Sequence, residues 1–447
     1  MKPKPLRLES EWFFSIGSPG VIVDTYHKLP AVIGLSHTYN RITANDTEIP
    51  QALLVRLFIW RNPSLQFLVF LDTVENSFRT LITGGSMKIL IVGFGTIGKP
   101  LVPLFLKTLE ALTIEEIMFH KNTPELDFRG GIVDFCRGGA KLVVFKERWR
   151  EFQEILKPFD VAPTYTFEEA LERADVVIDC TKEGIGRALK EEFYTNYNNG
   201  KRVFVAQGSE KGFGKPYAFS INDSALHPEK DKFLQVVSCN THQLLCILKT
   251  LVFDYEGGGN LIKARFALGR RAADISQRIS TIGMEFKKPI HAIFGSHQAE
   301  DADRILQTMG MNKLDIHAQA IISPQPFMHF VSFRIEIRTP ISHSEVERRF
   351  RENPLVAVTY WQTNNEVFSE GRDRGHFGRI LNQTVVHLPT LEVISRGKEI
   401  AGICSTPQDG NALLSSMAAT LWSRSPEKYQ EEMRKHFFNP PFIFNEI

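Results

Sequence analysis

The stretch that most constrains this chain is residues 88–106. Residues 88–92 (KILIV) form a short apolar run suited to a strand buried on both faces. Gly93-Phe94-Gly95-Thr96-Ile97-Gly98 follows, then residues 99–106 with the apolar spacing of a helix. Strand, G-x-G-x-x-G, helix is the order a dinucleotide-binding turn requires. Gly93 permits the tight turn, Gly95 lets backbone approach a pyrophosphate, and Gly98 allows close helix–strand packing. The phosphates would then meet the N–H groups of a helix N-terminus. Gly93, Gly95, Thr96, Ile97 and Gly98 are therefore the first candidate cofactor residues. Pro100 and Pro103 fit if both lie in the helix's first turn.

The next strand, residues 116–119, ends in His120-Lys121-Asn122-Thr123-Pro124. A carboxylate at this place holds the ribose 2′-OH of NAD. Lys121 would instead pair with the 2′-phosphate of NADP; the alternative is a solvated surface lysine. Residues 175–181 (DVVIDCT) give another buried strand, with Thr181 and Gly184 beside the expected cofactor crevice. Residues 202–206 give the next, with Gln207 and Gly208 in its loop. Strands alternating with helices imply an open parallel sheet.

Residues 236–241 (VVSCNT) run from a β-branched pair into Ser238, Cys239, Asn240 and Thr241. Residues 242–251 then show helical spacing. Cys239 is thus expected at a helix N-terminus, where unpaired N–H groups and partial positive charge favour thiolate over thiol. A cysteine there can be a nucleophile, although cysteine is also often buried and inert. Residues 260–268 read as a strand, followed by Arg270 and Arg271, a candidate anion clamp or a solvated basic turn. Residues 327–338 alternate strictly, and His329 is the polar member of an apolar face. It is either a satisfied core histidine or a base. Residues 409–422 predict a helix capped by Asp409 or Asn411, and 426–437 a second, charged helix.

The 447 residues allow two or three domains. A net charge of +2 gives no general reason to expect nucleic acid or a membrane surface. Five scattered cysteines without CxxC argue for a reducing cytoplasm and against a disulfide framework or structural zinc. Residues 1–86 read differently from the rest. Residues 52–72 are apolar but interrupted by Arg56, Arg61, Asn62 and Pro63, too broken for a spanning helix. Met87, opening the first strand after Gly84-Gly85-Ser86, is expected to be the initiator, with residues 1–86 as upstream sequence of low order; a lineage-specific extension is the rival reading.

Taken together, the motifs resemble the archaeal-type (type II) phosphorylating glyceraldehyde-3-phosphate dehydrogenase. The resemblance runs from Met87 to about Trp422. It rests on GFGTIGK at 93–99, the stretch 121–124, ADVVIDCTKEGIG at 174–186, QGSEK at 207–211, VVSCNT at 236–241, RRAAD at 270–274 and PFMH at 326–329. It implies an α/β fold: a Rossmann-type parallel-sheet domain (87–238 and 383–447) and an α+β catalytic domain with a mainly antiparallel sheet (239–382). It also implies NADP or NAD as cofactor, a phosphorylated aldehyde and inorganic phosphate as substrates, and a homotetramer. Cys239 would attack the aldehyde, His329 would act as base and, when cationic, stabilise the thiolate, and the Cys239 backbone N–H or Asn240 would support the oxyanion. Thr241, Arg270 and Arg271 would hold substrate and attacking phosphates. Where the family continues with Thr-Gly and soon an Arg, this chain has His242, Gln243 and Cys246. His242 is then expected to supply a substitute charge or alter substrate fit. A semialdehyde dehydrogenase and a weakened, NADP-binding regulatory paralogue are the rival readings.

Overall fold

A computed structural model describes residues 86–208, 210–272, 283–324, 327–407 and 409–447, and the backbone of short strands within residues 12–55. Residues 1–79 make a compact unit of their own. In it Trp12–Phe14 pairs with Val21–Val23, His37–Asn40 with Ala52–Val55, and Thr43–Ala44 with Thr47–Glu48, all antiparallel. The other expectations for residues 1–86 fall outside the described residues, save that Met87 does open a strand.

The second unit opens with β1 (Met87–Val92), α1 (Gly98–Lys107), β2 (Ile114–His120), α2 (Arg129–Arg137) and β3 (Lys141–Val144). After α3 (Trp149–Leu156) come β4 (Tyr165–Thr166), α4 (Phe167–Arg173), β5 (Val176–Asp179), α5 (Ile185–Leu189), β6 (Val203–Gln207), β7 (Lys215–Tyr217) and β8 (Phe233–Val236). The eight strands make one sheet in the order β4-β3-β2-β1-β5-β6-β8-β7, every pairing parallel. Helices on both faces leave the central strands no solvated side, which is why β1, β5 and β6 read as unbroken apolar runs. Helix α4 begins with a reciprocal capping box between Thr166 and Glu169. Pro103 lies inside α1, beyond its first turn, contrary to the sequence expectation.

Helix α6 (Cys239–Leu248) leads into a second sheet, built from β9 (Leu261–Arg271), β10 (Glu285–Phe286), β11 (Ile316–Ser323), β12 (His329–Ile337), β13 (Val356–Thr359), β14 (Thr384–His387), β15 (Glu392–Ile394) and β16 (Glu399–Thr406). Its main path is β10-β11-β9-β12-β16-β14-β13, with β15 on β16. The β9–β11 and β13–β14 pairs are parallel and the other pairings antiparallel. Among the described residues, three α-helices intervene: α7 (His297–Thr308), α8 (His343–Glu352) and α9 (Asn364–Arg374). The alternation along β12 is as read: Val331, Phe333, Ile335 and Ile337 are buried, while Phe330, Ser332 and Arg334 are exposed.

Two boundaries differ from the sequence reading. Strand β9 continues through Gly269 to Arg271, so the arginine pair lies within the strand and not after it. Strands β14, β15 and β16 belong to the second sheet, so the chain rejoins the first sheet at α10 (Gly410–Arg424), not at residue 383. Helix α10 packs on β5, β6 and β8 and also touches α6, and α11 (Tyr429–Phe437) packs against α10. No helix among the described residues is long and apolar enough to cross a membrane.

Candidate active site

The glycine turn has the form its sequence requires. Gly93 adopts φ +97°, a conformation open to glycine but strained for other residues. A Cβ on Gly98 would collide with the Gly93 carbonyl oxygen, whereas one on Gly95 would meet nothing within 4 Å. The first and third glycines therefore serve packing, and the second leaves room for a ligand. Helix α1 has no side-chain cap on its first N–H groups and no acidic residue in its first turn. A helix N-terminus with no acidic residue, beside an open glycine, suits a pyrophosphate, so these residues fit a dinucleotide.

The other cofactor candidates stand at the carboxyl ends of neighbouring strands. Asp179 ends β5 and accepts from both the N–H and the hydroxyl of Thr181, at 2.9 and 2.5 Å. Gly184 caps α5 with φ +86°. Gln207 ends β6; its amide N–H donates to Ser416 Oγ at 2.8 Å, and its buried Oε1 has no partner. Gly208 follows with φ +60°. Lys121 follows β2 and is buried, its ammonium 2.7 Å from Thr123 Oγ1 and 3.0 Å from Glu125 Oε2.

Cys239 is the first residue of α6, after the N-cap Ser238 whose side chain accepts the Thr241 N–H. The cysteine is half-buried. Burial pushes its thiol up to about 12; the Asp409 carboxylate adds to that, while Arg271, Arg270 and the Asn240 N–H oppose it. The helix-terminus effect expected from sequence is present in the Asn240 N–H, but desolvation outweighs it. Arg271 ties the site together. Its backbone N–H donates to His329 Nδ1 at 2.9 Å, and its guanidinium pairs with Asp409 Oδ2 at 3.0 Å, both side chains nearly buried. The same two arginines act on both Cys239 and His329.

His329 does not have the cationic character expected of it. Burial, then Arg271 and Arg270, holds its pKa well below 6.5, so the ring is neutral. A backbone N–H can only donate, so Nδ1 accepts and the neutral ring carries its proton on Nε2.

The residues after Cys239 are structural in this fold. Asn240 and Thr241 are buried; Asn240 Oδ1 accepts from Thr406 Oγ1 at 3.5 Å and Thr241 Oγ1 lies 2.9 Å from Ser238 Oγ. Thr241 is fully buried, which removes it from an exposed phosphate position. His242 lies between Ser238 O (3.0 Å) and Ser415 Oγ (2.7 Å), and burial lowers its pKa from 6.5 to about 4. It is a neutral clasp between α6 and α10 and supplies no substitute charge. Gln243 donates to Thr384 Oγ1 at 2.8 Å and accepts from Thr406 Oγ1. Cys246 is buried in the apolar cluster under the second sheet.

Three groups have roles at the site that the sequence reading did not give them. Asp409 is the N-cap residue of α10, but its carboxylate pairs with Arg271 and makes no cap bond. Asn411 donates to Cys239 O at 3.0 Å and to Gln383 O at 3.2 Å, leaving its buried Oδ1 without a partner. The third is the start of α7. A cavity of about 470 Å³ there is lined by Arg270, Lys287, Lys288, Ser296 and His297. Ser296 Oγ is buried without a partner at that uncapped helix end. Arg270 therefore faces this cationic cavity while Arg271 serves the cysteine side.

No protein-family profile matches the chain. Among curated proteins, glyceraldehyde-3-phosphate dehydrogenase of Metallosphaera sedula is 26% identical over 318 residues, covering 70% of this chain and 86% of that protein. The protein of the same name from Pyrobaculum islandicum is 25% identical over 323 residues, covering 70% and 85%. That from Sulfolobus acidocaldarius is 27% identical over 330 residues, with the same coverages. Over most of their length, then, the chain is similar to archaeal proteins that carry the name glyceraldehyde-3-phosphate dehydrogenase.

Proposed function

We propose that the chain is a nicotinamide-dinucleotide-dependent oxidoreductase that converts glyceraldehyde 3-phosphate and inorganic phosphate to 1,3-bisphosphoglycerate through a thioester on Cys239. The observation that carries the reading is the convergence on Arg271: its backbone holds His329 and its guanidinium acts on Cys239, which follows β8 of the parallel sheet that also carries the glycine turn. Similarity to the archaeal proteins supports the substrate.

Cys239 Sγ attacks the aldehyde carbon, and its proton passes to the carbonyl oxygen to give a hemithioacetal. His329 Nε2–H is set as a donor to that oxygen. Gly93, Gly95, Thr96, Ile97, Gly98, Lys121, Thr181, Gly184, Gln207 and Gly208 would hold the dinucleotide, which would supply a hydride acceptor. His329 would take the hydroxyl proton at Nε2 as hydride is lost, which would require the ring to have given up its Nε2 proton to solvent and to carry one on Nδ1, at the expense of the Arg271 N–H bond. A phosphate oxygen then attacks the thioester carbon and releases the thiolate. The α7 cavity, with Arg270, Lys287, Lys288 and the first N–H groups of the helix, suits the substrate phosphate. This concentration of cations favours a phosphorylated substrate over an amino-acid semialdehyde. Asn240, buried against Thr406, supports the oxyanion through its backbone N–H.

One observation favours a second reading, a catalytically weakened dinucleotide-binding paralogue: the thiol pushed up to about 12. Purified protein given glyceraldehyde 3-phosphate, phosphate and either NAD or NADP decides between them. Reduced cofactor is expected with wild type and none with Cys239→Ser. Binding of dinucleotide without turnover would select the weakened paralogue, and turnover by the serine variant would remove Cys239 from the chemistry.

A further inference from the structure

We propose that Glu125 sets the dinucleotide preference of this chain, by pairing with Lys121 and turning an NADP-selecting cation into a site that also takes NAD. The proposal rests on the reading of the glycine turn as a dinucleotide cradle.

Lys121 stands at the edge of that cradle. His120, just before it, is in register with Val92, and the Gly93 N–H donates to His120 O at 3.3 Å. The Lys121 side chain is only 9% exposed, and three groups fix its ammonium. Thr123 Oγ1 and Glu125 Oε2 accept from it, and the ring of Phe128 lies beneath it at 4.8 Å. Phe128 in turn packs edge-on against Phe94, the residue between the first two glycines. The charge is therefore held beside the place where the adenosine ribose lies in such a cradle. The Glu125 side chain is 53% exposed, on the solvent side of the pair.

The two ligands make opposite demands on this pair. A ribose 2′-hydroxyl is a neutral donor and acceptor, and a carboxylate beside an ammonium satisfies both capacities. A 2′-phosphate is doubly negative near neutrality; it gains from Lys121 but is repelled by Glu125. A lone lysine would select NADP strongly. The Lys121–Glu125 pair, close to neutral, discriminates weakly. Glu125 lies four residues past Lys121, in an extended conformation ahead of the short 3-10 helix Leu126–Phe128 and outside any strand, so the usual place for an acidic ribose ligand, the strand end, does not show it.

The test is direct binding of oxidised NAD and NADP, by calorimetry, to wild type, Glu125→Gln and Lys121→Ala, with circular dichroism to confirm folding. Wild type is expected to bind both with affinities within about tenfold, the effect of about one unit of charge at a partly exposed site. Glu125→Gln should tighten NADP and weaken NAD, moving their ratio by about tenfold toward NADP. Lys121→Ala should weaken NADP at least fivefold and leave NAD within about twofold. If both dinucleotides bind and Glu125→Gln leaves their ratio unchanged, the role of Glu125 is overturned while the cradle stands. If folded wild type binds neither dinucleotide, the cradle reading falls, and the role of Glu125 falls with it.

Discussion

Replacing Asp409 by Asn should make Cys239 more reactive. Asp409 Oδ2 lies 3.0 Å from Arg271 Nη2, with side chains 10% and 7% exposed. The carboxylate acts on Cys239 twice: it opposes the thiolate directly, and it offsets the Arg271 charge that favours it. Starting from a thiol near 12, the thiolate fraction at about pH 8 is on the order of one in ten thousand. Removing one unit of opposing charge in a poorly solvated pocket lowers the thiol by about one unit, so thiolate rises about tenfold. A less basic thiolate is also a weaker nucleophile, with a Brønsted slope of about 0.4–0.5, so the net gain in alkylation rate is about threefold to fourfold. The assay is iodoacetamide alkylation across pH, with each cysteine followed by mass spectrometry. Asn keeps a hydrogen-bond acceptor for Arg271 but removes the carboxylate charge from the pair, a loss of about 3–5 kcal/mol at most. Cys246 and Cys404, both buried, report on integrity by staying unmodified. An unchanged or slower rate at Cys239, with those two protected, would refute the electrostatic role given to Asp409.

The glycine turn separates packing from binding. Gly98→Ala should destabilise by about 1–3 kcal/mol in denaturant titration, because its Cβ meets the Gly93 carbonyl; Gly95→Ala should leave stability within about 0.5 kcal/mol while dinucleotide affinity, by calorimetry, falls at least tenfold. His242 binds a proton less readily folded (about 4) than unfolded (6.5), so its contribution is full above pH 6.5 and is lost as pH falls to 4. That is about 3 kcal/mol, so the stability curve of His242→Asn should be flatter by that amount over the same window; equal slopes would show that this histidine does not titrate with unfolding. Nitrogen-15 NMR of the histidine side chains should show His329 neutral at pH 7 with its proton on Nε2, and a proton on Nδ1 would contradict the Arg271 N–H bond.

What was legible in the sequence is what short-range pattern controls. Residues 88–106 carry their strand, turn and helix within one stretch, and the alternation around His329 follows from one face of β12 being buried. The N-terminal place of Cys239 was legible because Ser238 caps locally through the Thr241 N–H. The start of α7 could have been read too: Ser296 precedes Ala299, Ala302, Ile305 and Leu306, all buried at helical spacing. Its meaning as a cationic cavity could not, since Arg270 comes from a strand far earlier in the chain.

The charge state of the site is set by pairings that no local pattern reports. Arg271 meets Asp409 across 138 residues, Cys239 O meets Asn411 across 172, and His242 meets Ser415 across 173. All three partners lie on α10 or at its cap, the element that brings the chain back to the first sheet. Local electrostatics at the start of α6 argue for a thiolate; burial opposes it, and the cap of α10 places a carboxylate against Arg271. On the proposed function, the reactivity of Cys239 then depends on how the Arg271–Asp409 pair is held. An anion arriving near Arg271 would compete with Asp409 for the guanidinium, so occupancy of the site would be coupled to the electrostatics of Cys239 through the Arg271–Asp409 pair. That coupling locates the control of this chemistry in a helix cap distant in sequence from the cysteine, which is why substitution at Asp409, more than at His242 or Gln243, is the informative perturbation.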